Sequence, residues 1–148
     1  MFKRSDLQKR LTSFLQVFAA VNGPKQLYKH TVLLSIFQSL LSHQEAFVAK
    51  LALECVVKFK LPHVTPYSDQ LRRFLKKGEL REAMLNFNIR KDAEIIHVDH
   101  REGLLPLVCR ILFGRISSRA SEGRSAKDTP AARRASVLSY LSLVENAE

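Results

Sequence analysis

The sequence contains no apolar run approaching the roughly 18 residues that a membrane-spanning helix needs. Its first residues, Met1-Phe2-Lys3-Arg4-Ser5-Asp6, lack the short apolar block of a secretory signal, so a cytosolic or nuclear protein is expected. Cysteine is scarce, with Cys55 and Cys109 as its two representatives. Each lies among apolar neighbours, Leu53, Val56 and Val57 for the first and Leu107, Val108 and Ile111 for the second, where a reduced thiol packs as a small hydrophobe. Burial is expected for both.

Catalytic motifs are missing too: there is no glycine-rich phosphate loop, no Gly-x-Ser-x-Gly elbow and no His-Glu-x-x-His. His97-x-x-His100 with Cys109 is the nearest approach to a metal site, but a structural zinc needs four ligands and no Cys-x-x-Cys pair completes the set. A Cys/His nucleophilic pair would need Cys109 exposed and electropositive, against the burial its neighbours predict. No metal, no cofactor and no enzymatic activity are therefore expected. Convergent polar groups in a pocket around His97, His100 or Cys109 would reopen the enzyme reading.

Acidic residues are the last shortage. Fourteen Asp and Glu face 24 Lys and Arg, leaving a net charge of +10, unevenly spread. Residues 1–30 hold six basic residues against one acidic, and residues 101–134 hold eight against three. Residues 31–100 are nearly balanced, ten against eight. A field of this sign favours phosphate backbones or acidic protein surfaces without specifying a sequence.

What the chain does have is apolar material, 46% of its residues, arranged with helical period. Leu7, Leu11, Phe14, Leu15 and Phe18 recur at three- and four-residue steps, with Ser5 or Asp6 placed to cap the first turn. Asn22-Gly23-Pro24 stops this helix. A second helix, capped by Thr31, carries Leu33, Leu34, Ile36, Phe37, Leu40 and Leu41. A third carries Phe47, Val48, Leu51, Ala52, Cys55, Val56 and Phe59. The connection through Ser42-His43-Gln44 is so short that the two must form an antiparallel hairpin, with Ala49 and Ala52 permitting close approach. Thr65-Pro66 opens a fourth helix through Tyr67, Leu71, Phe74 and Leu75, and Gly78 closes it.

A fifth, shorter helix runs from Glu79 to about Phe87 with Leu80, Met84 and Phe87 inward. The stretch Asn88 to Val98 reads as a loop or a short extended piece. Asp99 caps a sixth helix through Leu104, Leu105, Val108, Ile111, Leu112 and Ile116, in which Pro106 marks either the start or a kink. Residues 117–129 contain no large apolar side chain and are expected to be a flexible basic linker. Pro130 opens a last helix with Val137, Leu138, Leu141 and Val144 on one side. The expected class is all-α, about seven helices in HEAT/armadillo-like antiparallel repeats. The expected organisation is a helical-repeat domain over 1–116, the linker over 117–129, and a C-terminal helix over 130–148 that packs back on the repeats.

The candidate contact residues for nucleic acid or an acidic partner are the basic ones. Lys3 and Arg4 lie just before the first helix and Lys9 and Arg10 on it. Arg72, Arg73, Lys76 and Lys77 lie at spacings that let at least three share one outward face of the fourth. Arg115, Arg119, Arg124, Arg133 and Arg134 surround the linker, which could order on RNA or an acidic partner. No aromatic is interleaved there, so base stacking is not indicated. Arg133-Arg134-Ala135-Ser136 fits a basic-directed kinase, with Ser136 at the start of a helix where a phosphate meets favourable amides.

Several blocks, in order and spacing, resemble a known family. They are Pro24-Lys25-Gln26-Leu27-Tyr28, Leu40-Leu41-Ser42-His43, the run from Lys50 to Val56, Pro66-Tyr67, the run from His100 to Arg115, and the run from Arg133 to Leu138. The family is the down-regulated-in-metastasis family, the giant HEAT-repeat component of the small-subunit processome associated with the U-three small nucleolar ribonucleoprotein. The resemblance covers nearly all of this chain and an interior portion of those very long proteins. It implies a nuclear, nucleolar scaffold that supports small-subunit pre-rRNA processing, with pre-ribosomal RNA and other processome proteins as partners and no catalytic residues to carry over. The alternative is a HEAT-type adaptor whose partner is an acidic protein and not RNA.

The hairpin offers a direct check. If Leu51 lies in its seam, Leu51→Asp buries an unpaired charge and the variant should fail to melt cooperatively. A wild-type melting temperature would contradict that placement.

Overall fold

The computed structural model describes residues 3–118 and 129–145. Among these residues the chain forms seven α-helices, three short 3-10 turns and no strand: α1 (Arg4–Ala20), α2 (His30–Leu40), α3 (Ala46–Lys58), α4 (Ser68–Phe74), α5 (Leu80–Asn86), α6 (Val98–Ser117) and α7 (Pro130–Glu145). The architecture is the all-α antiparallel helical repeat that the periodicity implies. Most of the expected linker, residues 119–128, lies outside the described residues.

The organising element is α3. Its Val48, Ala49, Ala52, Leu53, Cys55 and Val56 are all buried, because α3 packs on α1 and α2 and also touches α4 and α6. Ala49 and Ala52, both fully buried, keep the neighbouring backbones close. Phe18, Phe37 and Phe59 carry the contact across three elements, with ring centroids 5.4 and 6.3 Å apart. Cys55 donates its thiol proton to the Leu15 carbonyl at 3.3 Å. Burial, then the neighbouring Glu54, pushes the thiol up to about 12, so it stays protonated for that role.

The remaining helices wrap this centre. Here α6 contacts α2, α3 and α4, and α7 lies on α5 and α6. Two glycines set the fit of α6, since a Cβ at Gly114 would meet the His43 carbonyl oxygen at 2.9 Å and one at Gly103 would meet the His63 ring at 2.7 Å. At the far end Tyr140 of α7 donates its hydroxyl to the Phe87 carbonyl, closing the fold over α5.

Several local expectations are corrected. Lys3, not Ser5 or Asp6, is the N-cap of α1, and Lys29, not Thr31, precedes α2 with a left-handed φ of 52°. Thr65-Pro66 forms a 3-10 turn before α4 begins. The cap of α6 is His97, whose Nδ1 accepts from the Asp99 amide at 3.3 Å. Pro106 sits inside α6 and is tolerated because it and Glu102, the residue whose carbonyl loses its partner, are both exposed to water. Leu7, Phe14 and Leu138 are 53%, 65% and 61% exposed, so Leu15 alone is fully buried on α1, while Val137 and Tyr140 carry the burial on α7. Leu51 is half-buried at the edge of α3, and Leu53 occupies the interior.

A polar knot joins the turn before α4 to the start of α6. The His97 amide donates to the Tyr67 hydroxyl at 3.0 Å, and the same hydroxyl shares a hydrogen bond with His100 Nδ1 at 2.9 Å. Beside it, half-buried His63 has its pKa lowered from the ordinary 6.5, first by burial and then by His100.

Three outcomes follow. Leu53→Asp should abolish the cooperative transition, and Leu51→Asp should keep it. Gly114→Ala meets backbone that cannot yield and should cost about 1–3 kcal/mol, read as a lower denaturation midpoint; an unchanged midpoint would show that α6 can shift. Because folded His63 takes up its proton less readily than the unfolded chain, its contribution is complete above pH 6.5 and is lost as pH falls through that value to the folded one. Melting temperature should therefore drop on acidification, and more shallowly in His63→Asn. Parallel pH profiles for the two proteins would remove His63 from the account.

Candidate functional site

The basic residues of the sequence divide into three structural classes. Lys3, Arg4, Lys9 and Arg10 all lie exposed at the start of α1 or just before it. Arg4 also borders a cleft of about 500 Å³, shared with Leu7 and Leu11 of α1, Leu40 of α2 and His43 of the following turn. Lys77 and Arg134 are exposed as well. Arg119 and Arg124 lie outside the described residues.

The second class is engaged in ion pairs at the surface. Arg72 is held in two-pronged fashion by Glu54, at 2.7 and 3.2 Å, and also reaches Asp69 at 2.9 Å. Arg73 lies 3.8 Å from Glu79 and 3.5 Å from Glu82, and Lys76 lies 2.6 Å from Glu79. The expected sharing of one outward face of α4 by at least three of Arg72, Arg73, Lys76 and Lys77 does not occur. The reason is that α4 ends at Phe74, which places Lys76 and Lys77 in the turn that follows, closed by Gly78 with φ of 76°.

The third class is buried, and it corrects the expectation for Arg115 and Arg133. Arg115 is 1% exposed and Arg133 is 5% exposed. Arg115 Nη2 donates to the carbonyls of His43 and Gln44 at 3.2 and 3.4 Å, and Arg133 Nη1 donates to the Arg115 carbonyl at 3.1 Å. The guanidiniums thus tie α7 to α6 and α6 to the α2–α3 turn. Hydrogen bonds from a charged donor are each worth roughly 1.5–3 kcal/mol, and a phosphate group cannot reach groups so enclosed. Arg101 belongs to the same class, buried with Nη1 on the Ile89 carbonyl at 3.0 Å.

The sequence carries a hint of these buried arginines without deciding their burial. Positions 101, 104, 108, 111 and 115 form one helical stripe, as do 133, 137 and 140. Each arginine extends a stripe whose other members are Leu104, Val108, Ile111, Val137 and Tyr140. A charge on the apolar period, and not beside it, is the signal that charge counting overlooked.

Ser136 does not stand at the start of its helix. It lies in the second turn of α7, which begins at Pro130, and so away from the first turn where free amides would favour a phosphate. It is half-buried beside Arg81 and Leu85 of α5. Cys109 is exposed, contrary to expectation, because it falls one step past the buried arc of α6. Desolvation nonetheless raises its thiol above the ordinary 9.0, which keeps it protonated and poorly nucleophilic at neutral pH. The rings of His97 and His100 lie 5.2 Å apart, but the His100 ring is bonded to the Tyr67 hydroxyl and the His97 ring accepts from the Asp99 amide at the start of α6. Among the described residues, no group of three or more His, Cys, Asp and Glu side chains converges as a metal site would require.

Comparison with known proteins places this chain in a family. The family model described as "U3 small nucleolar RNA-associated protein 20, N-terminal" matches residues 5–148. A U3 small nucleolar RNA-associated protein 20 from Saccharomyces cerevisiae is 26% identical over 111 residues, which is 75% of this chain and 4% of the relative. The protein of the same name from Schizosaccharomyces pombe is 27% identical over 129 residues, 86% of this chain and 5% of the relative. The chain therefore spans about one twentieth of the length of the curated relatives it matches. The resemblance carried by the sequence blocks and the match across nearly the whole chain agree, and the chain belongs to the family of the N-terminal region of U3 small nucleolar RNA-associated protein 20.

Proposed function

We propose that this chain is a non-catalytic scaffold segment of the small-subunit processome, acting in ribosome biogenesis by supporting small-subunit pre-rRNA processing in the nucleolus. The observation that carries this reading is the family match over residues 5–148, to relatives named for association with U3 small nucleolar RNA. Residues 1–116 would form the repeat unit, with the helix that begins at Pro130 packed back on it. The partners would be precursor rRNA and other processome proteins, with no small-molecule substrate.

Physical support comes from how the charge is distributed. Arg115 and Arg133 are consumed inside the fold, and Arg72 is clamped by carboxylates. The phosphate contacts of this reading therefore fall to the exposed residues Lys3, Arg4, Lys9, Lys77 and Arg134. Such contacts hold a nucleic-acid backbone in place without reading its bases, which suits a scaffold.

Titrating a structured RNA at several salt concentrations tests the contact. Each phosphate neutralised contributes roughly 0.7–0.9 to the log–log salt slope, so the combined variant Lys3→Glu/Arg4→Glu/Lys9→Glu should lower the slope by about two to three while its melting temperature stays near wild type. In cells the chain should concentrate in nucleoli and sediment with small-subunit precursors. A salt-independent affinity, together with diffuse cytoplasmic staining and no such sedimentation, would sink the proposal.

A further inference from the structure

Outside the surfaces considered so far, α3 and α4 enclose a groove of about 490 Å³. Phe47, Leu51 and Leu53 of α3 make its apolar side. Leu53 is buried at its base, Leu51 is half-buried, and Phe47 is 55% exposed at its edge. An aromatic ring left this open beside two leucines, in a concavity large enough for several side chains, is what an apolar anchor from a partner would fill.

The charge around the groove is selective. Glu54 lines it, but its two oxygens are both taken by Arg72, so its negative charge is spent within the wall. Three other cations border the apolar side: Lys50, Arg73 and Lys76. Lys50 is exposed. Arg73 and Lys76 share Glu79, and Arg73 reaches Glu82 only at 3.5 Å. Solvent-exposed pairs of this kind are worth roughly 0–1 kcal/mol, so an incoming carboxylate can replace them at little cost. The partner that fits is apolar at its centre and acidic at its flanks.

We infer that this groove is a docking site for an acidic peptide segment of a partner protein, with Leu or Phe anchors seated on Phe47 and Leu51 and carboxylates facing Lys50, Arg73 and Lys76. A second copy of the chain is a poor occupant, because its net charge of +10 would meet a cationic rim. Single-stranded RNA would place a base on Phe47, but the aliphatic floor and the groove's concavity favour side chains over a flat stacked base. The inference does not depend on the ribosome-biogenesis reading.

The test uses the full chain and a fluorescein-labelled peptide in which Leu and Phe anchors alternate with Glu. A control peptide carries Lys in place of Glu, and a second control is oligouridine. The acidic peptide should saturate the chain and lose affinity as salt is raised. Phe47→Ala and Leu51→Asp should each weaken binding by at least about tenfold, and Lys50→Glu/Lys76→Glu should do so as well, with melting temperature monitored so that folded protein is compared throughout. Absence of saturation, equal binding of the lysine peptide, or indifference to Phe47→Ala would overturn the proposal. Oligouridine binding that depends on Phe47, without peptide binding, would overturn it in favour of a stacking site.

Discussion

The fold depends on how closely α6 can lie against the α2–α3 turn. At Gly114 there is no room for even one carbon between the helix and the His43 carbonyl, and the next residue, Arg115, sends its guanidinium onto the same turn. Turn carbonyls at a helix end need partners when they are covered. Glycine lets the helix come near enough, and arginine supplies donors once it is there. Arg133 then uses the carbonyl of Arg115 to bring α7 onto α6, so the sequence-distant C-terminal helix is tied to the first hairpin through one chain of hydrogen bonds.

This arrangement changes what a net charge of +10 means. A guanidinium inside the fold contributes to cohesion and nothing to long-range attraction of a phosphate backbone, while an exposed lysine does the reverse. Of the clustered basic residues, Arg115 and Arg133 stand on the first side and Lys3, Lys9, Lys77 and Arg134 on the second. Arg72, Arg73 and Lys76 are intermediate. They bound an apolar groove whose opening onto solvent is set by Phe47 and Leu51.

Much of the architecture was legible because helical period and breakers are local properties. Gly23 takes its left-handed φ of 72° after α1, and Pro130 begins α7. Leu80, Met84 and Phe87 are buried as their spacing requires. The misplacements were of a different kind. Leu7, Phe14 and Leu138 obey the period and are exposed, because period states that a helix has an apolar side without stating how much of that side a neighbour covers. Cys109 and Ser136 show the same limit, since apolar or basic flanks do not say where a residue sits on its helix or in which turn.

The sequence by itself determined an all-α chain of antiparallel hairpins, the helix breaks at glycine and proline, and an excess of positive charge, since each is set by residues within a few positions of one another. Only the tertiary structure decided which cations are structural and which face solvent. Arg115 meets His43 across 72 positions and Arg72 meets Glu54 across 18. Contacts at that separation exist only once the helices have packed, and packing alone fixes which side of each helix remains open to a partner.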